Sequence, residues 1–384
     1  MKRNRLLLAS LALGVPAILP QGRAQTAGTA NSSQAASEPS VYEQIWSYAD
    51  WYKNKDNPII QRFSFTGRFQ LDYALVHADQ GDHEEWNIRR FRMGAKAQLF
   101  HNFTWHGEAD LNPQEPRPMY ERLTDMNLAW SRSDSLTVKV GKQSAEFTMD
   151  GQTSSKELLA IDRSNESNNL WFPQEYIPGV TFSGEVDSWV YNAGIFSSGS
   201  ANKEFGEFDG GVFFLGTLGY DLGKNLGVKQ AVLTANYVYN EPDRNNTFTR
   251  SLQNIGSINF NLDTGKWGVR TDVTVGTGYL GQSDLWGAMI MPYYNITPQL
   301  QAVARYQFIQ SEDNNGVRLA RYESEVVSGR GDQYSEVYLG LNYYFFKHKL
   351  KIQTGVDYAE MRDQAADGGE YQGWGWTTGL RVSW

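Results

Sequence analysis

Lys156 and Arg163 stand seven residues apart in a segment whose neighbouring polar side chains are Ser154, Ser155, Ser164, Asn165, Ser167, Asn168 and Asn169. Two cations among hydroxyl and amide groups can replace the water shell of a phosphate or carboxylate, the charge supplying attraction and the neutral donors geometry. The same composition also suits a merely solvated loop. A second set of cations alternates with apolar residues. In an extended chain successive side chains point to opposite faces, so Phe91, Met93, Ala95, Ala97 and Leu99 take one face and Arg90, Arg92, Lys96 and Gln98 the other. The same parity sets Arg68, Lys139, Arg270, Arg305, Lys351 and Arg381 opposite apolar neighbours, on a face shared with Asp72, Glu108, Asp110, Asp272 and Asp357. Cations exceed acids on that face although the whole chain carries a net charge of −8. Either these charges select anions or they pair across the wall to stay hydrated.

Reaction chemistry finds no such footing. The chain has no cysteine and five histidines, His77, His83, His101, His106 and His348, none in a zinc-binding His-Glu-x-x-His spacing. No Gly-x-Ser-x-Gly nucleophile turn occurs, and His106 with Glu108 reads as two polar residues on one strand face. The expectation is a protein that is not an enzyme, with no catalytic residue, metal or cofactor. Its acidic balance makes nucleic acid an unsuitable partner.

The elements that position the charged face follow from periodicity. Residues 1–24 have the form of an export signal: Lys2, Arg3 and Arg5, then an apolar run from Leu6 to Leu19, then Gly22-Arg23-Ala24 before Gln25. That run is too short to span a bilayer as a helix. Residues 25–60 read as a periplasmic N-terminal linker with a short amphipathic helix on which Val41, Ile45, Tyr48 and Tyr52 share a face. From residue 61 to 384 the period is two. Trp374, Trp376, Thr378, Leu380, Val382 and Trp384 alternate with Gly373, Gly375, Thr377, Gly379, Arg381 and Ser383, one face suited to lipid and the other to water. Aromatics at strand ends match the interfacial girdles of membrane barrels.

About sixteen such runs are expected, from 62–77 and 86–99 through 209–222 and 247–262 to 371–384. An even number returns both ends of a single chain to one side of the membrane. The fold class is therefore all-β: a transmembrane antiparallel barrel, too wide for its own side chains to fill and so enclosing an aqueous channel unless a loop blocks it. The connection from Ser144 to Tyr176, after the fifth strand, is long enough to fold inward as a constriction loop.

Several blocks resemble the phosphate-selective porin O and P family: Thr66-Gly67-Arg68-Phe69-Gln70-Leu71-Asp72-Tyr73, Ile88-Arg89-Arg90-Phe91-Arg92-Met93-Gly94, Val138-Lys139-Val140-Gly141-Lys142-Gln143, and Ser154-Ser155-Lys156-Glu157-Leu158 followed by Asp162-Arg163-Ser164. Their order and spacing match over residues 60–185. The resemblance implies a porin in the outer membrane of a Gram-negative bacterium, usually trimeric, passing small anions such as phosphate or polyphosphate by diffusion. It implies that Lys156 and Arg163 are constriction residues, with Arg90 and Arg92 on the wall opposite; strand parity, independently of the resemblance, adds Arg68, Lys139, Arg270 and Arg305 as further candidate anion-contacting cations. Expected partners are outer-membrane lipid, small anions and two further copies of the chain. A non-selective porin and a structural barrel with a blocked lumen are the rival readings.

Overall fold

A computed structural model describes residues 39–114, 118–170, 176–198, 204–205, 210–245 and 250–384. The export signal expected at 1–24 and the first part of the linker lie outside the described residues. Among the described residues nineteen strands follow in chain order. A short β1 (Asp50–Lys53) precedes β2 (Ile60–Ala78), β3 (Gly81–Leu99), β4 (Phe103–Leu111), β5 (Tyr120–Ser133), β6 (Leu136–Ser144), β7 (Tyr176–Val186) and β8 (Trp189–Ser197). Then follow β9 (Val212–Asp221), β10 (Gln230–Asn240), β11 (Leu252–Asp263), β12 (Trp267–Gly278), β13 (Leu285–Asn295) and β14 (Leu300–Ser311). A two-residue pair, β15 (Val317–Arg318) and β16 (Arg330–Gly331), interrupts the series before β17 (Gln333–Phe346), β18 (Leu350–Arg362) and β19 (Tyr371–Ser383).

Sixteen strands, β2–β14 and β17–β19, pair antiparallel with their sequence neighbours, and β19 closes on β2 from Gly373↔Ala78 to Ser383↔Arg68. Closure leaves no open edge, which lipid demands because it offers unpaired backbone groups no partner. The terminal Trp384 is stitched to the seam by paired backbone bonds with Gly67 at 3.2 and 3.3 Å. Gly67 has to be glycine there: a Cβ would lie 2.4 Å from the Trp384 ring.

Alternation is read directly in the burial of each strand. Along β19 the inward Tyr371, Gly373, Gly375, Thr377, Gly379, Arg381 and Ser383 are covered, while Trp374 and Trp376 stand exposed on the outer face. Expected and observed strands agree in number and order; the chief differences are earlier or later ends, with β3 starting at Gly81 and β11 at Leu252.

The helix read in the linker is shorter than expected, ending at Ser47, so Tyr48 caps it and Tyr52 falls in β1, and two contacts of this segment were not expected. β1 lies outside the barrel and pairs with the start of β2, Lys53 opposite Arg62. The helix Val41–Ser47, closed by a reciprocal Ser40–Glu43 capping box, sits beside the same rim: Tyr42 stacks on Phe346 at 5.5 Å and Trp46 Nε1 donates to the Ser383 carbonyl at 2.6 Å. Residues 41–53 thus brace the end of the barrel at which β2 begins and β19 ends.

Outward side chains near mid-strand face hydrocarbon. Val273→Arg is expected to destabilise the barrel in a bilayer by about 2–4 kcal/mol, read as a lower midpoint of urea unfolding followed by the folded and unfolded gel bands.

Candidate functional site

The described part of the connection between Ser144 and Tyr176, residues 145–170, folds into the lumen rather than over the rim. Its first residues descend along the β10–β13 wall, where the Met149 N–H donates to Asp272 at 2.5 Å and Gln152 donates to Asn236 at 2.6 Å. The turn at 154–159 then crosses to the opposite wall. Arg68 donates to Ser155 Oγ (2.6 Å), Gln70 to the Ser155 carbonyl (2.9 Å), and Lys351 to the Leu158 carbonyl (2.8 Å). The chain returns past Tyr338 and Arg305 to a short helix, Asn165–Leu170, where the Glu166 N–H meets Gln307.

Apolar packing decides which side of the lumen the loop occupies. Ala145, Phe147 and Leu170 join one cluster with inward-facing Phe196, Phe213, Leu215, Val238, Leu252, Ile255, Leu285 and Ile309 of β8–β14. Met149, Leu159, Ala160 and Ile161 pack deeper, on Met289, Met291, Val303 and Tyr338. An inward wall that suits water throughout is therefore corrected: part of the wall between β8 and β14 is apolar because the loop covers it. Consecutive apolar residues mark this in the sequence, Phe213-Phe214-Leu215 and Phe308-Ile309, where both strand faces are apolar.

On the uncovered side lies a cavity of about 610 Å³, bounded by β3–β5, β14, β17–β19, the loop and a second inward segment, 312–332. Nine arginines line it against six carboxylates. Arg90, Arg92, Arg163 and Arg305 are among them. Arg90 donates to Gln70 at 2.9 Å. Arg92 is locked bidentate to Asp110 at 3.0 and 3.2 Å and also reaches Tyr176. Arg163 bonds the carbonyls of Asp150 and Thr153 at 2.8 and 3.1 Å, so it holds the loop as well as facing the cavity. Arg305 pairs with Glu336 at 2.9 Å and donates to the Asp162 carbonyl at 2.8 Å.

The other expected cations stand elsewhere. Arg68 is buried between Ser155 and Glu108 (3.1 Å) and fixes the turn. Lys156 points past the turn toward the terminus-bearing end, near Thr66 and the Trp384 carbonyl at 3.4 and 3.3 Å. Lys139 lies on β6 between Ala129 and Thr181, beside Lys96 and Asp125. Arg270 is set apart on β12, its Nε and Nη1 buried without a hydrogen-bond partner among the described residues. The eight candidates are spread along the lumen on both sides of the loop.

Strict alternation passed over Arg89. One extra residue in β3 breaks the register with β2 between Gln70↔Arg90 and Leu71↔Ile88, and this bulge brings Arg89 as well as Arg90 to the cavity. Arg89 meets Asp162 at 3.4 Å. From the second segment Arg321 reaches the same carboxylate at 3.1 Å, and Tyr322 donates to Asp72 at 3.1 Å. Burial raises the Asp162 carboxyl, but Arg321 and then Arg89 more than offset it and hold the group well below the usual carboxylate range. Among the described residues no group of three or more His, Cys, Asp or Glu is arranged to hold a metal ion.

The sequence profile of a family described as phosphate-selective porin O and P matches residues 63–295. No curated protein sequence is significantly similar to the chain. Among solved structures, an anion-selective porin from Comamonas acidovorans superposes with a TM-score of 0.59 at 10% identity, over 84% of this chain and 99% of that one. OmpF of Salmonella typhi, in complex with daunomycin, gives 0.59 at 12% identity over 87% and 100%. The outer-membrane channel DcaP of Acinetobacter baumannii gives 0.56 at 10% over 84% and 97%. Likeness at these identities is one of fold.

If apolar packing seats the loop, Phe147→Ala should cost it about 3–5 kcal/mol of anchoring. The expected readout is faster protease cleavage within 145–175 and noisier single-channel current, with the barrel still migrating as folded.

Proposed function

The chain belongs to the phosphate-selective porin O and P family, and on that premise we propose that this outer-membrane porin passes small anions by diffusion, phosphate or polyphosphate first among them. A porin moves solute down a gradient, so its residues position and screen an ion instead of carrying out a reaction. The observation that carries the reading is the arginine majority around the cavity beside the constriction loop, nine guanidiniums against six carboxylates. Cationic groups lining a narrow path favour anions because they compensate for the hydration an ion loses there. Arginine suits phosphate and carboxylate in particular, since its planar fork of donors matches two oxygens at once. The anion selectivity named for the Comamonas structure accords with this.

Beyond the constriction, Lys96, Lys139, Lys156 and Arg270 would carry the ion toward the periplasm, where the short turns and both termini lie. Residues 1–24 would be removed on export and 25–60 would remain periplasmic. The assembly is a homotrimer in outer-membrane lipid. The carboxylates give one specific ground for a non-selective porin: Asp110 and Glu336 already neutralise Arg92 and Arg305.

The test is the zero-current potential of the refolded protein in a planar bilayer under a KCl gradient, followed by phosphate titration of the chloride current. The expected result is anion selectivity, with phosphate block weakened about tenfold or more by Arg90→Ala or Arg163→Ala, the scale of a lost charge-assisted hydrogen bond. Zero or cation selectivity would leave a non-selective porin, and absence of conductance would leave a structural barrel.

A further inference from the structure

Most ion pairs that line the lumen are sealed. In Arg68–Glu108, Arg92–Asp110, Arg305–Glu336 and Arg381–Asp72 both side chains are 9% exposed or less. A passing ion cannot exchange with such pairs without separating two desolvated charges, which is costly. One bridge differs. Asp162 stands between Arg89 of β3 and Arg321 of the second inward segment, and the three side chains are 19%, 25% and 24% exposed, on the cavity wall. A half-buried bridge of this kind is open to an ion from the cavity, and separating it costs less than separating a pair that is fully desolvated.

The fold holds the three groups in place. The backbone of Asp162 is fixed by Arg305, donating to its carbonyl at 2.8 Å, and by Arg381, donating to the preceding Ile161 carbonyl at 3.4 Å. Arg321 is a non-glycine residue in the left-handed region (φ 59°), a conformation that surrounding contacts must enforce. Those contacts are present: the Arg318 N–H donates to Asn169 at 2.9 Å, Asn165 and Asn169 donate to the Arg318 carbonyl at 2.9 and 3.0 Å, and Tyr322 is tied to Asp72. Arg321 also lies 3.6 Å from Asp72. Segment 312–332 is thus docked on the constriction loop and brings a guanidinium to its edge.

We propose that Asp162 is a specificity-determining residue, a tethered counter-ion between Arg89 and Arg321 that a permeating oxyanion displaces from the two guanidiniums. The inference rests on the anion-preferring reading above. A carboxylate offers the guanidinium forks the same two-oxygen face as a phosphate or a solute carboxylate, so it competes for the same donors. Its negative charge sets how tightly an anion is held at the constriction, and segment 312–332 shares control of the pore with the constriction loop by supplying Arg321.

The experiment compares wild type, Asp162→Asn and Asp162→Asn/Arg321→Gln in planar bilayers, with inorganic phosphate titrated against chloride current and heat-modifiable migration as the fold control. Asp162→Asn is expected to lower the half-blocking phosphate concentration about fivefold or more, at or above the upper range for exposed ion pairs, and the second substitution to cancel that gain. An unchanged or raised half-blocking concentration in a folded Asp162→Asn pore overturns the inference while leaving the anion preference of wild type standing. A wild-type pore without anion preference overturns the parent reading. In that case the zero-current potential still reads the bridge: a shift toward anions on Asp162→Asn supports it, and no shift overturns it. If Asp162→Asn does not fold, Arg321→Gln tests the same bridge, because an Asp162 left with Arg89 alone should shift the potential toward cations and an unchanged potential contradicts the proposal.

Discussion

Hydrocarbon supplies no hydrogen bonds, and the rest of this structure follows from that. A chain that crosses the outer membrane as strands must pair every backbone group, so the sheet has to close, here at β19 on β2 with Trp384 stitched to Gly67. Closing sixteen strands creates a lumen wider than their side chains can fill. Whatever partly fills that space decides what passes.

The filling is one-sided. Inward Phe196, Phe213, Leu215, Val238 and Ile255 give the constriction loop an apolar seat for Phe147 and Leu170, and each such side chain removed from water contributes about 1.5–3 kcal/mol. Charged anchors complete the placement at the far wall, where Arg68 and Lys351 grip Ser155 and Leu158. The open cavity thereby lies on the β3–β5 and β17–β19 side, where arginines outnumber carboxylates, and on the proposed reading that is the side ions take. Packing on one wall and electrostatics on the other are two consequences of one loop position.

Much of this was legible in the residues. A half-lipid, half-water strand forces a period of two, and that period located the sixteen strands and the inward direction of Arg68, Arg90, Arg92 and Arg305. Direction alone says nothing of commitment: Arg68 and Arg92 do point inward but are spent on Ser155, Glu108 and Asp110. Arg89 escaped because a bulge adds a residue and resets the parity. Arg321 escaped for another reason, since 312–332 has no repeat to read and its place depends on contacts with Asn165, Asn169 and Asp72 far away in sequence. The apolar seat did leave a sign, two-faced runs such as Phe213-Phe214-Leu215, whose meaning depends on a covering loop.

The absence of native cysteine permits a direct test of the one-sided passage. Single cysteines placed at Arg122 or Arg318, on the cavity, and at Phe213 or Ile255, under the loop, can be exposed to a small anionic thiosulfonate while current through the bilayer is recorded. The account predicts rapid modification and a changed current at the first two positions and none at the second two. Equal modification of both sets would contradict it, because the loop would then not seal the apolar wall and the ions would not be confined to the arginine side.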